Sequence, residues 1–247
     1  MLFPPSIFSV SLCLRGESPS FGDPLLRVGL TGGIASGKSA VGEMFVALGA
    51  HLVQADRIAH ELMLPGQPVY NEVVRHFGGA ILNPDLSVNR AKLAEAAFGS
   101  SVSGAEGEPS TRSATPSRIQ ELNRIVHPAV LRSQNEWMEE MGRQDPHAVA
   151  IVEAALILEA GAAKSFDRLI VVTCSDAQRI ARFAARQKLD LEAARKEVER
   201  RMAAQMPDAE KIKAADYVID NSGSLEQTRE QVRQVWEKLS ALVVSQK

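Results

Sequence analysis

Residues 26–39 read LRVGLTGGIASGKS, and this stretch decides how the chain folds. Residues 26–31 form a short apolar run that stops at a pair of glycines, as a buried strand entering a tight loop does. After the loop, apolar side chains return at the spacing of one helix face, at Val41, Met44, Phe45 and Leu48. Gly49 is of the residue type that most often ends a helix. The sequence therefore predicts a strand, a glycine loop and a helix in direct succession.

The loop itself, residues 32–39 (the phosphate loop), matches the pattern G-x-x-x-x-G-K-[ST] without a mismatch. Glycines let backbone N–H groups converge on an anion, and the following helix adds partial positive charge at its N-terminus. Lys38 is placed to reach the β- and γ-phosphates of ATP, and the hydroxyl of Ser39 is placed to ligate Mg²⁺. The ATP-binding residues predicted in this segment are Gly32, Gly33, Ala35, Ser36, Gly37, Lys38, Ser39 and Ala40.

Further short strands are predicted at residues 51–55, 149–153, 169–173 and 217–219. Helical patterns separate them, and this alternation is typical of a parallel sheet with helices on both faces. The last helix begins with a Ser-x-x-Gln capping pattern at residues 224–227, and its buried stripe is predicted to consist of Val232, Val235, Trp236 and Leu239. The fold class is therefore α/β, a three-layer fold of the P-loop NTPase type around a central five-stranded parallel sheet.

The spacing of these elements predicts the domain organisation. Residues 26–247 form one kinase-sized domain, and the long interval between the second and third strands predicts an inserted helical subdomain at about 60–140. Within it, residues 99–117 are rich in Ser, Gly, Pro and Thr, which predicts a flexible loop without chemistry. Residues 1–25 are predicted to be a disordered extension, or to result from a start codon placed upstream of the true one. No Lys or Arg precedes their apolar run, which disfavours a signal peptide.

Composition excludes several classes of function. The chain of 247 residues has a formal net charge of −2, so it lacks the overall basic character that duplex nucleic acid binding usually requires. No apolar stretch is long enough to span a membrane. The two cysteines, Cys13 and Cys174, show neither a metal-ligand spacing nor a disulfide framework, which favours a reducing cytoplasm. The predicted partners are therefore small-molecule substrates, and the oligomeric state stays open.

A run of charge at residues 176–205 has two interpretations. Its basic residues are interspersed with acids, which is typical of a solvated, salt-bridged pair of helices. In a small-molecule kinase, the same segment can be a mobile lid whose arginines cover the transferring phosphate, and we place this lid at about 176–206. The basic side chains concerned are Arg179, Arg182, Arg186, Lys188, Arg195, Lys196, Arg200 and Arg201.

Asp56 is the first acidic residue after the second predicted strand. The carboxyl ends of parallel strands form the edge where open α/β sheets bind ligands. A carboxylate at this edge can orient and deprotonate an acceptor hydroxyl as a general base. The alternative is that Asp56 caps a helix starting at Arg57. Position alone does not decide between the two roles.

The phosphate loop by itself does not separate a kinase from a GTP switch or a motor ATPase. The chain has no Asn-Lys-x-Asp for guanine recognition, and its Asp-x-x-Gly sequence, Asp220–Gly223, lies near the C-terminus, far from where a switch loop belongs. It is also short for a motor with added machinery. Small-molecule kinases remain, with a nucleotide-dependent binding switch that hydrolyses ATP slowly as the rival class.

The motifs along residues 26–242 together resemble the dephospho-CoA kinase family. Thr31–Ser39, TGGIASGKS, is similar to the opening motif of that family. The matches that follow, in order, are Gln54-Ala55-Asp56 for a D-A-D segment, Pro65-Gly66, Phe77-Gly78, Arg90, Leu122-Asn123 with His127-Pro128, the lid residues Gln178, Arg182 and Arg186, then Gln205, and finally Ala215–Gly223.

The resemblance implies a reaction and a set of roles. The reaction is in-line transfer of the ATP γ-phosphoryl group to the ribose 3′-hydroxyl of dephospho-CoA, with ATP and Mg²⁺ as cofactors, in the cytoplasm. Catalysis would involve Asp56, Lys38, Arg182 and Arg186. Asn221 would lie near the adenine of ATP. The residues lining or bracing the dephospho-CoA side would be Arg90, His127 and Pro128. A nucleoside or nucleotide kinase of the same fold is the alternative enzyme.

The chain departs from the family pattern at two positions. Gln54 replaces the first acid of the D-A-D segment, and Ala155 replaces the proline of a P-L-L-x-E segment. Glu153 ends the preceding strand and is a candidate for assisting Mg²⁺ through water, while Glu159 keeps the acid of the family motif. Neither replacement removes a group that phosphoryl transfer needs.

Overall fold

A computed structural model describes residues 25–98 and 118–245. The predictions of a disordered extension and of a flexible loop concern residues 1–24 and 99–117, which lie outside the described residues. Leu25, which we assigned to the extension, is buried in a cluster with Met138 and Ala148. The packed domain therefore begins no later than Leu25.

The centre of the molecule is a five-stranded sheet in the order β2-β3-β1-β4-β5, in which every neighbouring pair is parallel. This confirms the predicted fold class. The first strand lies at the centre of the sheet and is almost wholly buried, which explains its continuous apolar run. The strands are β1 (Leu26–Gly32), β2 (His51–Gln54), β3 (Val149–Glu153), β4 (Arg168–Thr173) and β5 (Tyr217–Asp220).

Helices cover the sheet and fill the long interval between β2 and β3. They are α1 (Lys38–Ala47), α2 (Ala55–Leu62), α3 (Pro68–Phe77), α4 (Arg90–Phe98), α5 (Ile119–Gln144), α6 (Asp176–Gln187), α7 (Leu191–Ala203), α8 (Asp208–Ala214) and α9 (Leu225–Ser245). Short 3₁₀ turns occupy Gly79–Ile81 and Ala162–Ser165. None of the helices in the described part of the chain is long and apolar enough to cross a membrane.

The main core lies where α1 and α9 pack against the sheet. The capping pattern of α9 is confirmed: the backbone N–H of Ser224 donates to the Gln227 side chain at 2.8 Å, and the backbone N–H of Gln227 donates to the Ser224 hydroxyl at 3.2 Å. The α1 stripe is shorter than predicted, because the helix ends at Ala47 and Leu48 is 38% exposed. Gly49 follows with a positive φ of 112°, as predicted for a helix stop.

Two further cores belong to the helices outside the central layers. Helices α2 to α5 form a helical insertion with its own apolar cluster, which includes Val73, Phe77 and Leu93. Helices α6 and α7 pack on each other around Phe183 and Val198, and Ile34 of the phosphate loop belongs to the same cluster. The insertion and the α6–α7 pair are therefore both built beside the carboxyl end of the sheet.

Candidate active site

The phosphate loop leaves the end of β1 and enters α1 through an unusual backbone. Gly32 has φ 153° and a Cβ there would overlap the carbonyl oxygen of Val172 in β4. Gly37, at the N-cap of α1, has the left-handed φ of 94°. Only glycine adopts such conformations without strain, and at Gly32 only glycine has the space. The sequence pattern and the backbone geometry therefore agree that this loop is a phosphate cradle in form.

The Lys38 amino group lies against the loop that precedes it. It donates hydrogen bonds to the carbonyl oxygens of Gly32 at 3.1 Å and Gly33 at 3.0 Å. Burial lowers the pKa of Lys38, and the carboxylates of Glu153 and Asp56 oppose that shift. Both acids therefore lie near enough to the lysine to act on its charge.

A chain of hydrogen bonds connects α1 to the ends of β3 and β2. The Ser39 hydroxyl donates to one carboxylate oxygen of Glu153 at 2.7 Å, and the Gln54 amide donates to the other at 3.0 Å. Hydroxyl and carboxylate oxygens are ligands that Mg²⁺ accepts, and Mg²⁺ commonly takes its remaining ligands from phosphates and water. In the described residues, no group of three or more His, Cys, Asp or Glu side chains could hold a metal alone. The donor set therefore fits a Mg²⁺ ion that arrives with a nucleotide.

The boundary between β2 and α2 differs from the prediction, which changes the local setting of Asp56. We expected the strand to continue to Ala55 and a helix to start at Arg57, but β2 ends at Gln54 and α2 starts at Ala55. Asp56 is therefore in the first turn of α2, and its side chain is exposed. Gln54 occupies the N-cap position, so the interpretation of Asp56 as the helix cap is wrong.

Asn221 and Arg182 meet behind the phosphate loop. The Asn221 amide and the Arg182 guanidinium both donate to the carbonyl oxygen of Ser36, at 2.9 and 3.3 Å. Arg182 also donates to the Asn221 carbonyl at 3.0 Å, and Thr228 donates to the Asn221 side-chain oxygen at 3.0 Å. These bonds connect α6, β5 and α9 to the phosphate loop.

The sequence did not predict that two cations, Arg179 and Lys211, would be buried. Arg179 is 1% exposed, pairs with Asp208 of α8 and donates to the Ile34 carbonyl at 3.2 Å. Lys211 is fully buried, and its amino group lies 2.9 Å from the carboxylate of Glu159. The interpretation of this charged segment as wholly solvated is therefore wrong for Arg179. Its position beside Ile180 and one turn before Phe183, on the apolar face of α6, was the available signal.

Four predicted residues are not among these contacts. Arg186 is exposed and its guanidinium lies 5.8 Å from the ring centroid of Phe183 in the same helix. Arg90 is the exposed first residue of α4, and His127 and Pro128 are exposed in the middle of α5. The structure thus joins Arg182 and Asn221 to the phosphate loop that carries Lys38, and places Asp56 near enough to act on the charge of Lys38. The predicted acceptor residues lie on the helical insertion.

A parallel sheet of this order, with a Gly-Lys-Ser loop between its central strand and the first helix, defines a P-loop kinase fold. The model of the dephospho-CoA kinase family matches residues 26–227, and the chain belongs to that family. A dephospho-CoA kinase of Corynebacterium jeikeium is 39% identical over 86% of this chain and 98% of its own length. One of Syntrophotalea carbinolica is 40% identical over 84% of this chain and 89% of its own.

Solved structures agree on the fold. The crystal structure of TT1252 from Thermus thermophilus has a TM-score of 0.67 and 29% identity, and the match covers 87% of this chain and 98% of that one. A dephospho-CoA kinase from Campylobacter jejuni matches with a TM-score of 0.54 and 23% identity, over 87% of this chain and 97% of its own, which supports the fold alone.

Proposed function

We propose that this chain transfers the γ-phosphoryl group of ATP to the ribose 3′-hydroxyl of dephospho-CoA and so completes coenzyme A. The observation that carries the proposal is the family match over residues 26–227, with the phosphate loop intact at its start. Membership of a kinase family agrees with ATP as the donor, for which the loop has the required form. We also propose a cytoplasmic location, for which the buried free thiol of Cys174 is the support.

The phosphate loop is proposed to bind the nucleotide. Its backbone N–H groups and the N-terminus of α1 attract the phosphates, and Lys38 moves from the Gly32 and Gly33 carbonyls to the phosphate oxygens. Ser39 and Glu153 are proposed to hold Mg²⁺, which when bound offsets the negative charge of the phosphates. The surrounding loop residues that complete the site are Ala35, Ser36, Gly37 and Ala40.

Asp56 is proposed to orient the acceptor hydroxyl and accept its proton. The carboxylate acts on the pKa of Lys38, which supports a position near the transferring phosphate. It is exposed and free of the N-cap role, so it is available to a substrate that binds between the phosphate loop and α2. A general base in this position adds to the rate enhancement that comes from aligning the two substrates, and this alignment is the larger part of catalysis in phosphoryl transfer.

The arginines and the acceptor residues complete the proposed site. Arg182 contacts the Ser36 carbonyl of the phosphate loop, which supports its proposed contact with a bound phosphate, whereas Arg186 is exposed and its guanidinium lies near the Phe183 ring. Asn221 is proposed to lie near the adenine of ATP because of the family resemblance, and its hydrogen bond to the Ser36 carbonyl attaches it to the nucleotide-binding loop. The helical insertion would present dephospho-CoA through Arg90, His127 and Pro128.

One coupled assay tests the proposed reaction against its alternatives. ADP release is measured with dephospho-CoA, with a panel of nucleosides and nucleotides, and with no acceptor. We expect release that depends on dephospho-CoA. Faster release with a nucleoside or nucleotide would make the chain a kinase of that class. Equal release without an acceptor would make it a nucleotide-hydrolysing switch.

A further inference from the structure

Gln54 and Glu153 are neighbours across the sheet at the carboxyl end of their strands. The two residues are register partners in the parallel pairing of β2 with β3. The Gln54 amide nitrogen donates to one carboxylate oxygen of Glu153 at 3.0 Å, and the Ser39 hydroxyl donates to the other at 2.7 Å. Each oxygen of this carboxylate therefore has its own donor.

These two hydrogen bonds hold the Glu153 side chain and offset the free-energy cost of burying its carboxylate. Glu153 is 8% exposed, and a buried carboxylate is stable only where its oxygens are satisfied. A carboxylate with a donor on each oxygen is held in one orientation, so it loses the choice between rotamers. Gln54 is half-buried and supplies one of the two donors without adding charge.

The residue type at position 54 decides whether its side chain can donate a hydrogen bond to Glu153. In the motif that this segment resembles, an acid stands here, and an ionised acid accepts hydrogen bonds but donates none. An acid beside Glu153 would place two like charges next to each other, and each would raise the cost of ionising the other. Glutamine gives the opposite arrangement: one carboxylate, fixed by an amide.

The geometry points to Gln54 as a positioning residue for the divalent metal. Its amide aims Glu153 at Ser39 and keeps the charge of the metal-binding pair at a single carboxylate. The inference rests on the proposed function only in that the metal accompanies ATP. The site consequently takes its metal with the nucleotide and binds it weakly beforehand, because one carboxylate and one hydroxyl are a small donor set.

The test uses Mn²⁺ as a spectroscopic probe for Mg²⁺, with electron paramagnetic resonance measuring bound and free metal. The full-length chain is titrated with and without a non-hydrolysable ATP analogue. We compare Gln54→Leu, which loses the donor, with Gln234→Leu on α9, which loses a glutamine–glutamate bond of 3.1 Å to Glu230 away from the site. Gln54→Met is the second variant if leucine disturbs folding.

With the analogue bound, Gln54→Leu should weaken Mn²⁺ binding about tenfold, which is about 1.4 kcal/mol. The control should stay within twofold of wild type, with melting temperatures of all variants close together. Gln54→Glu should instead tighten Mn²⁺ binding without nucleotide by at least about threefold, since it adds a carboxylate. Unchanged binding in Gln54→Leu and Gln54→Met, or weaker binding in Gln54→Glu, would overturn the inference.

This experiment separates the inference from the proposed reaction. Metal binding with an ATP analogue needs no acceptor, so the Gln54 result stands whether or not dephospho-CoA is phosphorylated. If Mn²⁺ binding changes as expected in the Gln54 variants but dephospho-CoA is not phosphorylated, the proposed reaction is wrong and the role of Gln54 is kept. If dephospho-CoA is phosphorylated but Mn²⁺ binding does not change in the Gln54 variants, the proposed reaction is kept and the role of Gln54 is wrong.

Discussion

Replacing Arg179 with methionine tests whether the buried pair beside the phosphate loop carries stability. The guanidinium is 1% exposed and pairs with Asp208, which is 30% exposed, and it donates to the Ile34 carbonyl at 3.2 Å. Removing one partner of a fully buried pair costs about 3–5 kcal/mol. Because water reaches Asp208, its orphaned carboxylate is partly solvated, so the cost falls toward the value of a charged hydrogen bond, about 2–3 kcal/mol.

The assay is thermal unfolding followed by circular dichroism. For a chain of this size each kcal/mol lowers the melting temperature by about 2–4 °C, so Arg179→Met should melt about 4–12 °C below wild type. The matched control is Arg233→Met on α9, where the arginine is 58% exposed and its nitrogen lies 2.6 Å from Glu230. An exposed pair of this kind is worth about 0–1 kcal/mol. Equal melting temperatures for the two variants would refute the reasoning.

Three further changes test the site and the lid. Lys38→Ala should abolish phosphoryl transfer with little change in the melting temperature, because burial disfavours the charge of the lysine that donates to the Gly32 and Gly33 carbonyls; turnover at the wild-type rate would refute the phosphate-loop assignment. Asp56→Asn should lower kcat by about 10²- to 10⁴-fold with ATP affinity preserved, the usual range for a lost general base, and a normal kcat would send the search for the base to Glu153. Hydrogen bonding to Arg200 and Arg201 lowers the pKa of Glu197 to about 2 from 4.5, so Glu197 stabilises the folded state above about pH 4.5 and loses this contribution as pH falls toward 2. The difference in the free energy of unfolding between wild type and Glu197→Gln, measured by urea unfolding, should shrink over that pH range. A constant difference would show that the ion pairs of Glu197 with Arg200 and Arg201 do not stabilise α7.

The strands and the phosphate loop were predictable because their signals are local. An apolar run ended by glycines gives β1, and a second short apolar run gives β3 over Val149–Glu153 with the observed bounds. The capping residues Ser224 and Gln227 satisfy each other within four residues of sequence, so their pattern is visible without the fold.

The missed features depend on contacts that are distant in sequence. Arg179 pairs with a residue 29 positions away, and Lys211 reaches Glu159 in a loop on the other side of β4. A charge pattern cannot distinguish such pairs from solvated ones, because burial is decided by the tertiary packing. The start of α2 was predicted two residues late, because helix ends are defined only within one or two residues and Ala55 is a good helix former.

The Gln54 replacement shows the same limit in another form. In the sequence, Gln54 stands where the motif that this segment resembles has an acid, and this alone puts the role of that acid in doubt. Only the register of β2 against β3 reveals that the amide donates to Glu153, which in turn accepts from Ser39. The loss of one charge is thus accompanied by the gain of one donor.

The most direct test of the account is to follow the phosphoryl group itself. The chain is mixed with ATP labelled at the γ-phosphate and with dephospho-CoA, and the products are separated and examined by phosphorus NMR. The account predicts label in coenzyme A, as a monoester on the ribose 3′-oxygen, with one ADP formed for each labelled product. Label recovered as inorganic phosphate, or at another oxygen of the acceptor, would contradict it.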